Sequence, residues 1–469
     1  MEDYPLFRRV LRIGTSNIIG QLASFLGVIA YANVTTPAVL GRYFLLISLV
    51  NILGSLATAG VSSNIPRELP RALNPGIPFG SALAITSVQT TAIIIVLPAF
   101  SSTIRHLIGI GILPIQLILL PTIFALVGGD LLRGEKRAPL SEKIEAMTKL
   151  AIYTCGIVLY FTGHGPFFSF MAGYGASRVL QIVAIAVAAE TQPVIPSVGD
   201  IWSFFTRSKY LYLSRISNLG FEWIDTLFIG FFLGSAAVAA YEIVWRITSV
   251  SNILTNATVA DIYPRLSTGV EKITRQQYDI LDEGAYFYSI TPIIPAMPGA
   301  FLLGADMLGI IYGGSYRYAW IALTILFLGR FAFSISSISN TILFSLDLDH
   351  FASQIDVITL LINLVLDLTL IPILGISGAA LGIAITYFLS CIAKTYLVYD
   401  SHVTKPPTKR MLFSSMSAII MGAAVETIRI FLPIRNIFNL IAIISFGILL
   451  YSTILVRLDR QLWQDIMQS

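Results

Sequence analysis

Five ionisable residues fall in two neighbouring stretches that are otherwise apolar enough to cross a bilayer. Arg215, Glu222 and Asp225 lie in the first, and Glu242 and Arg246 in the second. A charged side chain at the bilayer centre costs about 2.5–3.5 kcal/mol on insertion scales, so such groups face protein or a wet cavity and mark pathways for ions and polar ligands. Arg215, Glu222 and Asp225 are seven and three residues apart, which keeps them on one broad helix face. Glu222 and Asp225 are close enough to repel each other. Either an arginine, Arg215 or Arg178, neutralises them as a static ion-pair lock, or one carboxylate holds a proton near neutral pH and exchanges it, as an ion-coupled carrier requires. Glu242 and Arg246 are four apart with the acid first, the favourable order for an intrahelical pair, and both could line the same cleft.

Two more arginines lie at depth, Arg178 in YGASRVLQ and Arg330 in LFLGRFAFSISSISN. Ser334, Ser337 and Asn340 follow Arg330 at helical spacing, a stripe that serves either helix packing or ligand contact. Guanidinium groups suit phosphate through paired hydrogen bonds, so arginines with hydroxyl and amide neighbours fit a phosphorylated, sugar-bearing anion. The candidate substrate-binding residues are therefore Arg178, Arg215, Arg246, Arg330 and Asn340, and the candidate ion-coupling residues are Glu222, Asp225 and Glu242. The remaining charges at depth read as structural. Asp356 and Asp367 share one helix face, Lys394 is near enough to a helix end to snorkel, and Glu426 and Arg429 are spaced to pair.

The elements that hold these groups must be transmembrane helices. The 469 residues are 55% hydrophobic and 12% charged, with mean hydropathy +0.79, whereas soluble proteins carry roughly 25% charged residues. Only helices and closed barrels satisfy their backbone within lipid, and long unbroken apolar runs select helices. Fourteen spans are expected, centred near residues 23, 53, 90, 121, 155, 178, 221, 250, 292, 332, 362, 387, 421 and 447. The first follows MEDYPLFRRVLR without a small-residue cleavage site and is expected to be retained. An even number puts both termini on one side. Loops on that side hold 20 of the 30 basic residues and loops on the other side hold 4, so the termini are expected in the cytoplasm and the protein in the cytoplasmic membrane.

The chain repeats itself. Tyr43 precedes Pro66-Arg67 by 23 residues, and Tyr241 precedes Pro264-Arg265 by the same interval; Ser16-Asn17 and Ser217-Asn218 lie upstream. Six helices separate the two units, so the repeat is parallel. The expected organisation is an N-terminal lobe over 1–200, a C-terminal lobe over 201–402 and a two-helix appendage over 403–469, with a cleft between the lobes.

Several chemistries are excluded. Basic residues are spread singly, which argues against nucleic acid. Cys155, Cys391 and four isolated histidines offer no disulfide framework or metal spacing. No loop exceeds roughly 20 residues and no GxxxxGK[ST] or HExxH occurs, so a non-enzymatic protein is expected, without cofactors beyond H+ or Na+ coupling.

Longer phrases resemble one family. VLGRYFLLISLVNILGSLATAGVSSNIPREL (39–69) is similar to the first-hairpin signature of polysaccharide flippases. WIDTLFIGFFLGSAAVAAYEIVWRI with the following IYPRLS (223–267) resembles their Asp-bearing seventh helix, Leu-Gly turn and Pro-Arg-Leu-Ser ending. LLGADMLGIIYGGSYRYAWIALTILFLG and IPILGISGAALGIAITYF resemble their external Gly-x-x-Tyr loop and eleventh-to-twelfth hairpin. Over about residues 5–400 the chain resembles the Wzx-type lipid-linked oligosaccharide flippases of the MOP exporter superfamily, related to MATE antiporters and MurJ. The resemblance implies fourteen helices in two lobes around a cationic cleft. It also implies alternating-access transfer of a polyprenyl-linked glycan from the cytoplasmic to the outer leaflet, coupled to an ion gradient in at least some members. The expected partners are that lipid and the membrane, with glycan-assembly glycosyltransferases or a polymerase alongside a monomeric carrier. A MATE-like drug or cation antiporter is the nearest rival; a membrane glycosyltransferase or polymerase would want a sizeable external loop.

Overall fold

Apolar runs of bilayer length leave the backbone to satisfy itself, and the described chain answers with helices alone. A computed structural model describes residues 6–58, 60–267, 284–346, 348–400 and 408–459; the side chains of 6–19, 63, 209–222, 261, 263–267 and 408 lie outside the described residues. Among the described residues there are seventeen α-helices and no strand. They are α1 (Leu6–Val34), α2 (Pro37–Thr58), α3 (Val61–Glu68), α4 (Gly76–Val96), α5 (Ser101–Ile108), α6 (Ile112–Gly134), α7 (Ala138–Phe161), α8 (Pro166–Ala188) and α9 (Val198–Leu233). Then come α10 (Ser235–Ser249), α11 (Asn252–Ser267), α12 (Ile293–Ile311), α13 (Trp320–Ser345), α14 (Asp349–Leu374), α15 (Ile376–Asp400), α16 (Thr408–Phe431) and α17 (Ile437–Leu458).

Each of the fourteen expected span centres falls on or beside helix. Among the described residues, eleven helical segments are long and apolar enough to cross a membrane, and Gly20–Val34 and Trp223–Leu233 are shorter apolar helices at the first and seventh positions. The second and eighth spans differ from expectation in being broken. Gly60 sits at φ 69°, a conformation that glycine takes at little steric cost, and it separates α2 from α3. In the eighth, the Thr248 and Ser249 hydroxyls donate back to the Trp245 carbonyl at 2.9 and 2.7 Å, and Ser251 donates to the Thr248 carbonyl at 2.6 Å. These bonds compete with the helical ladder, and Val250 and Ser251 bond three residues back, to Ile247 and Thr248. The helix therefore stops and restarts at Asn252.

Contacts gather the chain into two units, residues 19–242 and residues 243–469 with 1–18. In the first, α7 and α8 cross where Gly173 meets Gly156: a β-carbon on Gly173 would run into the Gly156 backbone, and one on Gly156 would run into the Tyr31 hydroxyl. Tyr31 of α1 fastens to them, stacked on Phe170 with ring centres 3.6 Å apart and donating to the Ile152 carbonyl at 2.9 Å. A capping box starts α9: Ser197 and Asp200 bond reciprocally, and the Ser197 hydroxyl holds the Asp200 carboxyl below its usual range. Gly230 of α9 then lets the Leu45 side chain of α2 approach its backbone.

In the second unit, α13 packs on α15 through Gly329 against Ala384 and through hydroxyl pairs, Ser336 with Ser390 at 3.0 Å and Ser339 with Thr395 at 3.1 Å. The α16–α17 pair packs on α12. Ser414 of α16 donates to the Tyr451 oxygen, and Tyr451 of α17 donates on to the Thr291 carbonyl at 2.9 Å. Arg429 pairs with Glu426 at 3.5 Å, as its spacing suggested, and also reaches Asp306 of α12 at 3.1 Å. Lys394 does not snorkel outward: it is buried and pairs with Asp356 at 2.6 Å, because α14 supplies a carboxylate within the helix interface.

Candidate functional site

Of the eight singled-out residues, Arg215 and Glu222 have side chains outside the described residues. Of the other six, Arg178, Asp225, Glu242 and Arg330 sit in clusters that each lie within a single unit.

In residues 19–242, the α9–α10 hairpin turns at Gly234 and brings two short polar pairs together. Tyr241 donates its phenolic hydroxyl to Asp225 Oδ2 at 2.6 Å, and Thr226 donates to Glu242 Oε1 at 2.6 Å. Both carboxylates are buried, 4% and 3% exposed. Short hydroxyl-to-carboxylate bonds are charge-assisted and hold a carboxylate in one orientation. The arrangement can keep an acid charged within the membrane, or hand it a proton or cation in a fixed geometry.

Arg178 of α8 is in the same unit, and its surroundings are occupied by protein. Its Nη1 donates to Gln181 Oε1 at 2.6 Å and to Glu145 Oε2 of α7 at 3.4 Å, while Gln181 Nε2 donates to Glu145 at 2.7 Å. The guanidinium lies 5.2 Å from the Tyr174 ring centre. The i,i+3 spacing of Arg178 and Gln181 was visible in the sequence. Glu145, 33 residues away, could be found only once α7 and α8 were packed. We expect Arg178→Met to lower stability by about 2 kcal/mol, since a hydrogen bond to a charged group contributes about 1.5–3 kcal/mol. Glu145→Gln in the same chain should restore much of that loss, because it removes the charge left behind. Unfolding of the two single variants and the double variant in detergent checks this; simple additivity would show that the pair is not coupled.

In residues 243–469, Arg330 of α13 is 3% exposed. Its Nη2 donates to Ser249 Oγ at 2.9 Å, and its guanidinium carbon sits 4.1 Å over the Trp245 ring and 5.8 Å from Phe333. Arg246, on the same helix as Trp245, is half-buried. Asn340 is half-buried, and among the described residues its Oδ1 has no hydrogen-bond partner. Ser334, at the head of the polar stripe, is engaged in packing: Thr255 donates to it, and it donates to the Ser289 carbonyl at 3.1 Å.

The same unit contains an apolar cavity of about 270 Å³. Ile247 of α10 and Phe327 of α13 line it, with Leu303 of α12, Met421 and Val425 of α16, and Ile443 of α17. Sequence reading missed this cavity because apolar residues facing a hollow and apolar residues facing lipid look alike. Thr226 and Tyr241 were missed as donors to the acids for a related reason: their contacts depend on the α9–α10 hairpin angle.

Taken together, these features define a polytopic α-helical membrane protein with buried charged clusters. The chain belongs to the polysaccharide biosynthesis protein family, whose model matches residues 6–270. It is 25% identical over 455 residues to the probable low-salt glycan biosynthesis flippase Agl15 of Haloferax volcanii, across 96% of this chain and 95% of that protein. Its fold is similar to the lipid II flippase MurJ in an inward closed conformation, with TM-score 0.82, 15% identity and coverage of 96% and 99% of the two chains. An inward-facing MATE family multidrug resistance transporter matches with TM-score 0.60 at 16% identity, over 85% of this chain and 94% of that one.

Proposed function

We propose that the chain is a flippase that carries a polyprenyl-phosphate-linked oligosaccharide from the cytoplasmic to the outer leaflet by alternating access, for surface polysaccharide or glycoprotein synthesis. One observation carries this reading: α10 and α13 supply both a buried guanidinium site and part of the wall of a hydrocarbon cavity. Trp245, Ser249 and Arg330 form the first, and Ile247 and Phe327 contribute to the second. That pairing suits an amphiphile, with phosphate or sugar at the guanidinium and hydrocarbon in the cavity. At about 270 Å³ the cavity is near the lower end of small-molecule pockets, roughly 300–1,000 Å³. It takes a segment of lipid chain, and the rest of the tail stays in the bilayer. Family membership and the naming of Agl15 as a glycan biosynthesis flippase support the same reading.

The basic-residue bias orients both termini to the cytoplasm of a cell whose cytoplasmic membrane holds the protein. Alternating access is assigned to two lobes expected over 1–200 and 201–402, with 403–469 as an appendage. Asp225 and Glu242, with Glu222 beside them in sequence, set the H+ or Na+ state of the carrier. The protein works as a monomer beside glycosyltransferases or a polymerase. Net transport requires that the head be bound more tightly in one facing than in the other.

Binding by the purified protein tests the reading. Trp245 lies against Arg330, so its fluorescence reports on that site. A polyprenyl phosphate bearing a disaccharide should quench it saturably, and a lipophilic cation should not compete. Binding of the lipophilic cation, displaced by protons but not by glycolipid, would favour a MATE-like antiporter instead.

A further inference from the structure

Four charged side chains stand at one end of the apolar cavity, and the reading above leaves them unused. On α12 the cavity wall runs through Leu302 and Leu303 to Met307, and on α16 it stops at Val425. Asp306 immediately precedes Met307, Glu426 immediately follows Val425, and Arg429 lies one turn beyond. The fourth, Arg317, comes from the short 3-10 helix Gly314–Ala319 between α12 and α13. Both arginines converge on one carboxylate. Arg317 Nη2 donates to Asp306 Oδ1 at 2.7 Å, and Arg429 Nη2 donates to Asp306 Oδ2 at 3.1 Å.

Each guanidinium is held in place by the backbone beside it. Arg429 Nη1 donates to the Leu302 carbonyl at 2.9 Å, which ties it to the cavity wall. The Arg317 stem lies along bare helix: a β-carbon on Gly309 would fall 2.7 Å from its Cγ. Buried Tyr312 and Tyr316 root the turn that carries it. Charge and donors are nevertheless left over. One carboxylate cannot balance two guanidiniums, and the balancing Glu426 is 3.5 Å from Arg429 with half of its side chain exposed. A surface pair of this kind contributes little. A guanidinium carries five N–H donors. Among the described residues Arg317 uses only Nη2, and its side chain is 58% exposed. Its remaining edge can grip a phosphate oxygen pair in fork geometry.

The cluster sits at the level where a bilayer has its phosphates. Tyr318 is exposed, and Trp320, which opens α13, packs edge-on against Phe301 with ring centres 5.7 Å apart. Aromatic side chains of this kind gather at the membrane–water interface, and in the orientation proposed above this interface is the outer one. The Arg330 site lies deeper beside the same cavity. On α13, Phe327 lines the cavity and Arg330 stands ten residues, about 15 Å, in from Trp320. Two guanidinium sites at different depths thus share one hydrocarbon hollow.

We propose that Arg317 and Arg429 form an outer-leaflet phosphate site. The phosphate of a lipid rests on the two guanidiniums in place of Glu426, and the adjoining part of its chain lies in the cavity. An amphiphile is required because the wall that continues from the cluster is hydrocarbon, and an anion is required because the surplus donors are cationic. Two lipids offer that chemistry, the glycolipid once it has crossed and an anionic phospholipid of the outer leaflet. For the glycolipid the site is the last protein contact before release: the phosphate leaves a buried arginine for an exposed one that water reaches. That use rests on the flippase reading, whereas the site itself does not.

Photocrosslinking of the full chain in maltoside micelles, which hold no phosphate, tests the site. Three probes carry a diazirine on a chain carbon near the head: a polyprenyl phosphate disaccharide, phosphatidylglycerol and neutral diacylglycerol. Labelling of residues 302–307 or 425–429 by the glycolipid, by phosphatidylglycerol or by both, and not by diacylglycerol, is the expected result and tells which lipid uses the site. Arg317→Gln leaves Arg429 to pair with Asp306 and should fold; it should cut that labelling at least about tenfold, the effect of losing one charge-assisted hydrogen bond. The comparison of probes on the unmodified chain needs no variant. Equal labelling by diacylglycerol, no labelling of these residues by either phosphate lipid, or undiminished labelling in folded Arg317→Gln would each overturn the proposal. Labelling by phosphatidylglycerol alone, with no glycolipid movement across vesicles, would leave the site standing and remove the flippase reading. Glycolipid movement with no labelling here would do the reverse.

Discussion

Arg330→Ala should abolish glycolipid binding and lower stability by about 3–5 kcal/mol, whereas Arg330→Lys should fold better but still bind weakly. The arginine is almost wholly buried, donates to Ser249 and sits 4.1 Å over the Trp245 ring. A desolvated cation–π contact contributes about 2 kcal/mol or more, and a hydrogen bond from a charged donor about 1.5–3 kcal/mol. Alanine removes both and leaves a hole beside Trp245. Lysine keeps the charge but not the planar, forked guanidinium that stacks on an indole and grips phosphate with two hydrogen bonds. The two variants therefore separate binding from folding. Glycolipid titration and thermal unfolding of each, in the same detergent, read the two effects. Equal loss of folded protein with unchanged affinity in whatever remains folded would make Arg330 a structural strut.

Asp225→Asn should cut transport and flatten its dependence on pH while leaving expression close to normal. Asparagine occupies nearly the same volume and still accepts from the Tyr241 hydroxyl, so the fold has little reason to fail. What it lacks is the capacity to change charge. Tyr241→Phe is the complementary change: it leaves the Asp225 carboxylate in place without that donor and should cost about 1.5–3 kcal/mol in stability. Transport by Asp225→Asn that follows the unmodified pH profile would remove the residue from ion coupling.

Much of the fold was legible before any coordinates, because bilayer thickness imposes one length and one backbone solution on every apolar run. The exceptions were the breaks at Gly60 and at Val250–Ser251. An apolar window averages over a single left-handed glycine, and the serine and threonine hydroxyls that end α10 reveal themselves only by the carbonyls they choose. The site was legible in its residue types and less so in its partners. Arg330, Asp225 and Glu242 were identifiable because charge is costly in lipid. Thr226 and Tyr241, however, lie sixteen residues from the acids they serve, and that interval carries no helical signal. Lys394 was misread for the same reason. Its neighbours in sequence allow it to snorkel, but Asp356 comes from the preceding helix and holds it in.

Transbilayer movement itself is the most direct test of the central claim. Vesicles reconstituted with the purified protein would carry a fluorescent polyprenyl phosphate disaccharide in both leaflets, with a membrane-impermeant quencher added outside. The flippase account predicts that the protein brings the inner-leaflet pool within reach of the quencher, so that nearly all the signal is lost, and that Arg330→Ala restores the protection of about half of it expected for symmetric leaflets. Equal protection of the inner-leaflet pool with and without the protein, or cleavage or extension of the glycan in place of its movement, would contradict the account.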